Sequence, residues 1–106
     1  MTEVFHIKRG DTSPEIGFYL EPTTIDLTGA AVRFLMRDRT EVKVVDAAAT
    51  VVAPTGTPTV SYSWSAPDTA TAGLYEAEFQ VTYADGKIET FPNAGFIPVR
   101  INEDVS

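Results

Sequence analysis

The segment from Gly73 to Tyr83 constrains the fold of this chain more than any other. Tyr75, Ala77, Phe79, Val81 and Tyr83 alternate with Leu74, Glu76, Glu78, Gln80 and Thr82. Strict period two over that length describes a long strand, one face in a core and the other in water. Asp85-Gly86 follows, a dipeptide suited to the two positive-φ positions of a type I′ turn. Residues 87–91 then return antiparallel.

Turn signals cut the rest of the chain into short pieces: Gly10-Asp11, Pro14, Pro22, Gly29, Pro54, Pro58, Pro67-Asp68 and Pro92 among them. The strands expected between them are 4–8, 15–20, 31–37, 42–46, 50–52, 60–64, 73–83, 87–91 and 96–101. Many short strands with frequent turns are the mark of a sandwich or barrel. The predicted fold is all-β, an antiparallel immunoglobulin-like β-sandwich of seven to nine strands. Alternation puts Phe18, Val32, Phe34, Met36, Trp64, Tyr75, Phe79, Val81 and Ile97 in the core. Residues 46–50, with three alanines, are the one stretch that also suits a helical turn. The length fits a single domain over 1–106, with 103–106 as a frayed tail.

Composition narrows the chemistry. Eight basic and fifteen acidic residues give a net charge of −7, which excludes nucleic acid as an expected partner. The chain has no cysteine, so neither a disulfide nor a thiolate metal site is available. No apolar run is long enough for a membrane span, so no membrane partner is expected.

Each constellation of chemistry-bearing residue types has a plainer reading. His6 is the sole histidine, and its place between Phe5 and Ile7 marks a surface strand position. Glu76 and Glu78 share the exposed face of a strand, where nothing desolvates either carboxylate enough for acid–base work. Arg33, Arg37 and Arg39 form a stripe that can meet those glutamates across strands. The loop aspartates match no calcium-loop spacing and suit turn capping. Trp64, Tyr62 and Tyr75 would make a sugar-stacking platform only if exposed, and their phase points inward. No catalytic residue, cofactor or metal ligand is expected, nor a small-molecule ligand.

The run Thr71-Ala72-Gly73-Leu74-Tyr75-Glu76-Ala77 resembles the immunoglobulin-type corner, in which a tyrosine at a strand start hydrogen-bonds back to the preceding turn. An ordered set of motifs covers more of the chain. It comprises Phe5-His6-Ile7-Lys8-Arg9-Gly10-Asp11-Thr12, Asp26-Leu27-Thr28-Gly29-Ala30 and Val32-Arg33-Phe34-Leu35-Met36-Arg37. Trp64 with Asp68-Thr69, then Gly73 to Phe79, Ala84-Asp85-Gly86-Lys87 and Thr90-Phe91-Pro92-Asn93 complete it. Together they are similar to the immunoglobulin-like domain at the N-terminus of tailed-phage baseplate upper proteins.

The resemblance implies a non-enzymatic structural protein of a bacteriophage virion, a tail or baseplate component that docks other virion proteins in multiple symmetric copies. It would be made in the host cytoplasm and reside in the particle. A capsid decoration protein is the nearest alternative, and a carbohydrate-binding or host-adhesion module the alternative from another class. Docking is expected along strand edges and protruding tips: Phe5 and Ile7 with the N-terminal arm 1–4, the loop Thr55-Gly56-Thr57, and the Arg33, Arg37, Arg39 face.

Overall fold

A computed structural model describes residues 3–105 of the chain. Among them eight strands form in chain order: β1 Phe5–Lys8, β2 Ile16–Tyr19, β3 Ala31–Asp38, β4 Lys43–Ala53, β5 Thr59–Tyr62, β6 Gly73–Thr82, β7 Ile88–Phe91 and β8 Ile97–Asn102. They follow the order β1-β8-β6-β3-β4-β5-β2, with β7 beside the far end of β6. The long alternating segment is the centre of the larger sheet. Its inward residues meet those of β3 in register, Val81 opposite Val32, Phe79 opposite Phe34 and Ala77 opposite Met36.

β4 belongs to both layers. Its first half pairs with β3 and its second half with β5, so the path turns over and β5 and β2 cover the larger sheet. Aromatic rings close the two layers: Phe34 stacks on Tyr62 at 4.6 Å between centroids, and Phe18 lies 6.3 Å from Phe79. Such offset or edge contacts add about 0.5–1.5 kcal/mol to what burial already contributes. All strand pairs are antiparallel except β1 with β8, which is parallel. The fold is the all-β, immunoglobulin-like sandwich that the alternation implies. At its corner the Tyr75 hydroxyl donates to the Thr71 carbonyl at 2.6 Å, as the corner motif requires. Every expected core residue is buried except Phe18, which is half-buried at the margin.

Four local expectations are corrected. Residues 42–46 and 50–52 are one eleven-residue strand, β4, and the alanines form no helical turn. Ala47 and Ala49 face Phe34 and Val32 across the ladder, and their small side chains let the strand run close over the core where it changes layer. The turn after β6 is not type I′, because Gly86 alone has positive φ (90°). Gly86 N–H donates to Tyr83 O and Tyr83 N–H to Lys87 O, which makes a three-residue loop with a left-handed glycine at its end. The segment 96–101 is not an edge, since β8 lies between β1 and β6. Its parallel ladder with β1 starts at Val99, just after Pro98, which has no N–H to give. Near the C-terminus the Asp104 carboxylate pairs with Arg9 at 2.9 Å.

Candidate functional site

Alternation along β3 and β6 sends Arg33, Leu35 and Arg37 outward beside Leu74, Glu76, Glu78 and Gln80. Register then decides the partners. Arg37 lies opposite Glu76 and its Nε donates to the carboxylate at 2.9 Å, while Glu41 approaches the guanidinium at 3.8 Å. Arg33 lies opposite Gln80 on one side and turns instead to β4. There it holds Asp46 through two nitrogens, at 2.8 and 2.6 Å, and Lys43 reaches the same carboxylate at 3.1 Å. The hydrogen bonds from Arg33, then those from Lys43, hold the Asp46 carboxyl below its ordinary range. Glu78 sits opposite Leu35 and makes no ion pair among the described residues.

The hairpin joining β3 to β4 aims the rest of the stripe. Asp38 accepts from the Thr40 hydroxyl and from the backbone N–H groups of Thr40 and Val42. These bonds, led by Thr40's, lower its pKa and fix a tight turn in which Glu41 takes φ +68°. Arg39 projects from that turn, exposed and without an ion pair among the described residues.

Apolar groups interrupt the charged face. Phe96, just before β8, lies under the Arg37 guanidinium at 4.6 Å from the ring centroid. With Leu35, Met36, Glu41, Lys43, Glu76 and Glu78 these two line a depression of about 210 Å³. A shallower neighbour runs past Arg39, Leu74 and Pro98 to Val4 at the sheet edge. Val4, Leu74 and Phe96 are each about two-fifths exposed, at 43, 39 and 39%. Leu74 and Phe96 escaped sequence reasoning, although an apolar residue in the outward phase beside two glutamates was a readable signal.

The structure divides the expected docking residues. Arg33, Arg37 and Arg39 share the outer face just described, Arg33 and Arg37 already neutralised by acids. Ile7 is buried in the core and so is not free to dock, while Phe5 is half-buried and packs its ring against Trp64 at 5.8 Å. Their alternation faces the sandwich because β1 is zipped onto β8, which leaves only His6 and Lys8 outward. Thr55, Gly56 and Thr57 form an exposed tip between β4 and β5. That tip lies at the opposite end of β4 from Arg37, about 33 Å away along ten residues of strand, so loop and arginines make no common site. Of the N-terminal arm, Met1 and Thr2 lie outside the described residues.

Trp64, Tyr62 and Tyr75 are all buried, at 4, 5 and 7% exposure, which removes the sugar-stacking platform and the carbohydrate-binding alternative with it. Tyr62 donates to Asp68 at 2.6 Å, and desolvation followed by that bond pushes its phenol up to about 12. Among the described residues no group of three or more histidine, cysteine, aspartate or glutamate side chains could hold a metal ion. His6 is exposed, with only Asn102 Nδ2 beside its Nδ1 at 3.2 Å.

No family model and no curated protein matches this sequence. Among solved structures, CopC from Methylosinus trichosporium OB3b superposes with a TM-score of 0.59 at 15% identity, over 96% of this chain and 86% of that one. The two share a fold. The likeness at this identity shows the fold alone, but it is to a CopC and not to a phage protein, and no family model or curated relative stands behind the virion assignment. The tail, baseplate and capsid-decoration roles are accordingly withdrawn.

Proposed function

We propose that the chain is a non-enzymatic protein-docking domain, whose contact surface is the outer face of the larger sheet around Leu74, Phe96 and Arg39. The observation that carries the reading is a pair of adjoining depressions, one lined by Phe96 and the other by Val4 and Leu74, with these apolar side chains partly exposed and rimmed by charge. An apolar centre with a polar rim is the composition of a protein interface. Arg37 and Glu76 already satisfy each other, so covering them strips less solvent from unpaired charge than covering lone ions would. Arg39, unpaired among the described residues, is left to meet a carboxylate on the other protein.

The partner is thus a protein with an apolar ridge and an acidic residue beside it, and the net charge of −7 speaks against nucleic acid. Where several copies share an assembly, weak contacts of this size gain by multivalency. Size-exclusion chromatography of the chain in an extract of its source organism tests the reading. The native chain should elute in a complex well above its own 11.5 kDa. Leu74→Glu with Phe96→Glu should return it to the monomer position while its circular dichroism shows that it remains folded. A native chain that elutes as a monomer, or a double variant that stays in the complex, would defeat the proposal.

A further inference from the structure

The second sheet ends in an edge that the molecule leaves open. β2 is the outermost strand next to β5, with Ile16 opposite Tyr62 and Phe18 opposite Val60. Leu20 N–H donates inward to Pro58 O at 2.8 Å. By alternation Ile16, Phe18 and Leu20 spend their backbone groups on β5, so the N–H and C=O of Gly17 and Tyr19 point away from the sheet. No other strand reaches them among the described residues. Sandwich proteins ordinarily guard such an edge with a charged side chain, a proline or a bulge inside the strand. The Ile16–Tyr19 strand has none of these, and its only protection of this kind is its length of four residues. The β1 edge, by contrast, carries His6 and Lys8.

Three side-chain observations say what would fit there. Phe18 belongs to the core yet stays half-buried, its remaining surface open at the same margin. Gly17 leaves an unfilled place on the outer face, where an added Cβ would meet nothing nearer than Val60 O at 3.7 Å, and Tyr19 stands 70% exposed two residues away. Glu15 and Glu21 bracket the strand at its two ends, and both are exposed. Ser63 bonds the Glu15 carboxylate at 3.0 Å, and Glu21 has no partner among the described residues. A second copy pairing antiparallel through Gly17 and Tyr19 would set Glu15 of each chain against Glu21 of the other, like charges directly opposed, on molecules that each carry −7. The charge pattern therefore disfavours self-pairing and favours a basic strand.

We propose that the β2 edge binds an extended segment of another protein as an added strand, apolar toward the core and basic at positions six residues apart. The main-chain bonds to Gly17 and Tyr19 would supply the attachment. An aromatic side chain opposite Gly17 and cations opposite Glu15 and Glu21 would supply the choice of sequence. Pro14 and Pro22 limit the edge to about seven residues, or roughly 20 Å. This surface is on the other sheet from the proposed docking face and stands or falls independently of it.

The test uses the whole chain and a capped heptapeptide, Lys-Val-Thr-Val-Tyr-Val-Lys, with a twin in which both lysines are glutamate. Amide resonances of residues 15–21 should shift with the lysine peptide, and hydrogen exchange at Gly17 and Tyr19 should slow by about tenfold at saturation. The glutamate twin should bind about fivefold more weakly, two cross-strand ion pairs being lost. The exposed double variant Glu15→Lys with Glu21→Lys should fold normally and invert the preference. Unmoved Gly17 and Tyr19 amides at millimolar peptide, or equal binding of both peptides, would overturn the proposal. So would dimerisation of the free chain through β2 in sedimentation, which would make a second copy the occupant.

Discussion

Replacing Tyr62 by phenylalanine isolates one bond in the wall between the two sheets. The ring would stay stacked on Phe34 at 4.6 Å and edge-on to Trp64 at 5.6 Å, so packing is conserved. What goes is the 2.6 Å bond to Asp68, which also accepts from Ser65 N–H at 2.8 Å and so keeps one donor. Hydrogen bonds to charged groups contribute about 1.5–3 kcal/mol. Asp68 is only half-buried and water can replace the phenol, so the low end, about 1.5 kcal/mol, applies. That corresponds to a fall of about 6–12 °C in thermal midpoint for a domain of this size.

Urea titration followed by the single tryptophan gives the free energy directly. The pH dependence gives a second, sharper check. The phenol titrates near 12 in the folded chain and near 10 unfolded, so its contribution is fully present below pH 10 and is lost as pH rises toward 12. The phenylalanine variant has no such loss, and the gap between the two proteins should close over that window. A variant within about 0.5 kcal/mol of the parent at pH 7, or a gap constant up to pH 11.5, would refute the role given to this bond.

Other expectations are simpler to check. Phe79→Ala should cost about 3–5 kcal/mol by urea denaturation, because it empties the centre of the larger sheet. Gly86→Ala should cost about 1–2 kcal/mol, the strain of a side chain at φ +90°, seen as a lower thermal midpoint with unchanged circular dichroism. Arg33→Ala breaks an exposed pair with Asp46, so the thermal midpoint should fall slightly at low salt and by less at high salt.

Much of this architecture is legible in the residue order, and the exceptions have physical causes. β3 and β6 each bury one face, so their alternation is strict and their strands, core residues and outward arginines could all be read. β4 changes layer midway, and its alanines fit a helix and a strand equally well until tertiary packing chooses. The parallel zipping of β1 onto β8 joins segments more than ninety residues apart and leaves no local trace, which is why Phe5 and Ile7 looked available for docking. The Arg33 partner was missed because the expected strand 42–46 ends at Asp46, whereas β4 carries that residue through the ladder beside β3. In the candidate site the charges were readable. Its apolar part was not, because Leu74 and Phe96 gain meaning only once β6 and β8 place them in two adjoining depressions of the outer sheet face.

Site-specific photo-crosslinking from Leu74 tests the docking account most directly, with the same group placed at Thr50 on the exposed face of the second sheet as control. In cells of the source organism, Leu74 should capture one defined protein, and Arg39→Glu should abolish that product. Capture of the same protein from Thr50 with equal yield, or a Leu74 product indifferent to Arg39→Glu, would contradict the assignment of the outer sheet face as the docking surface.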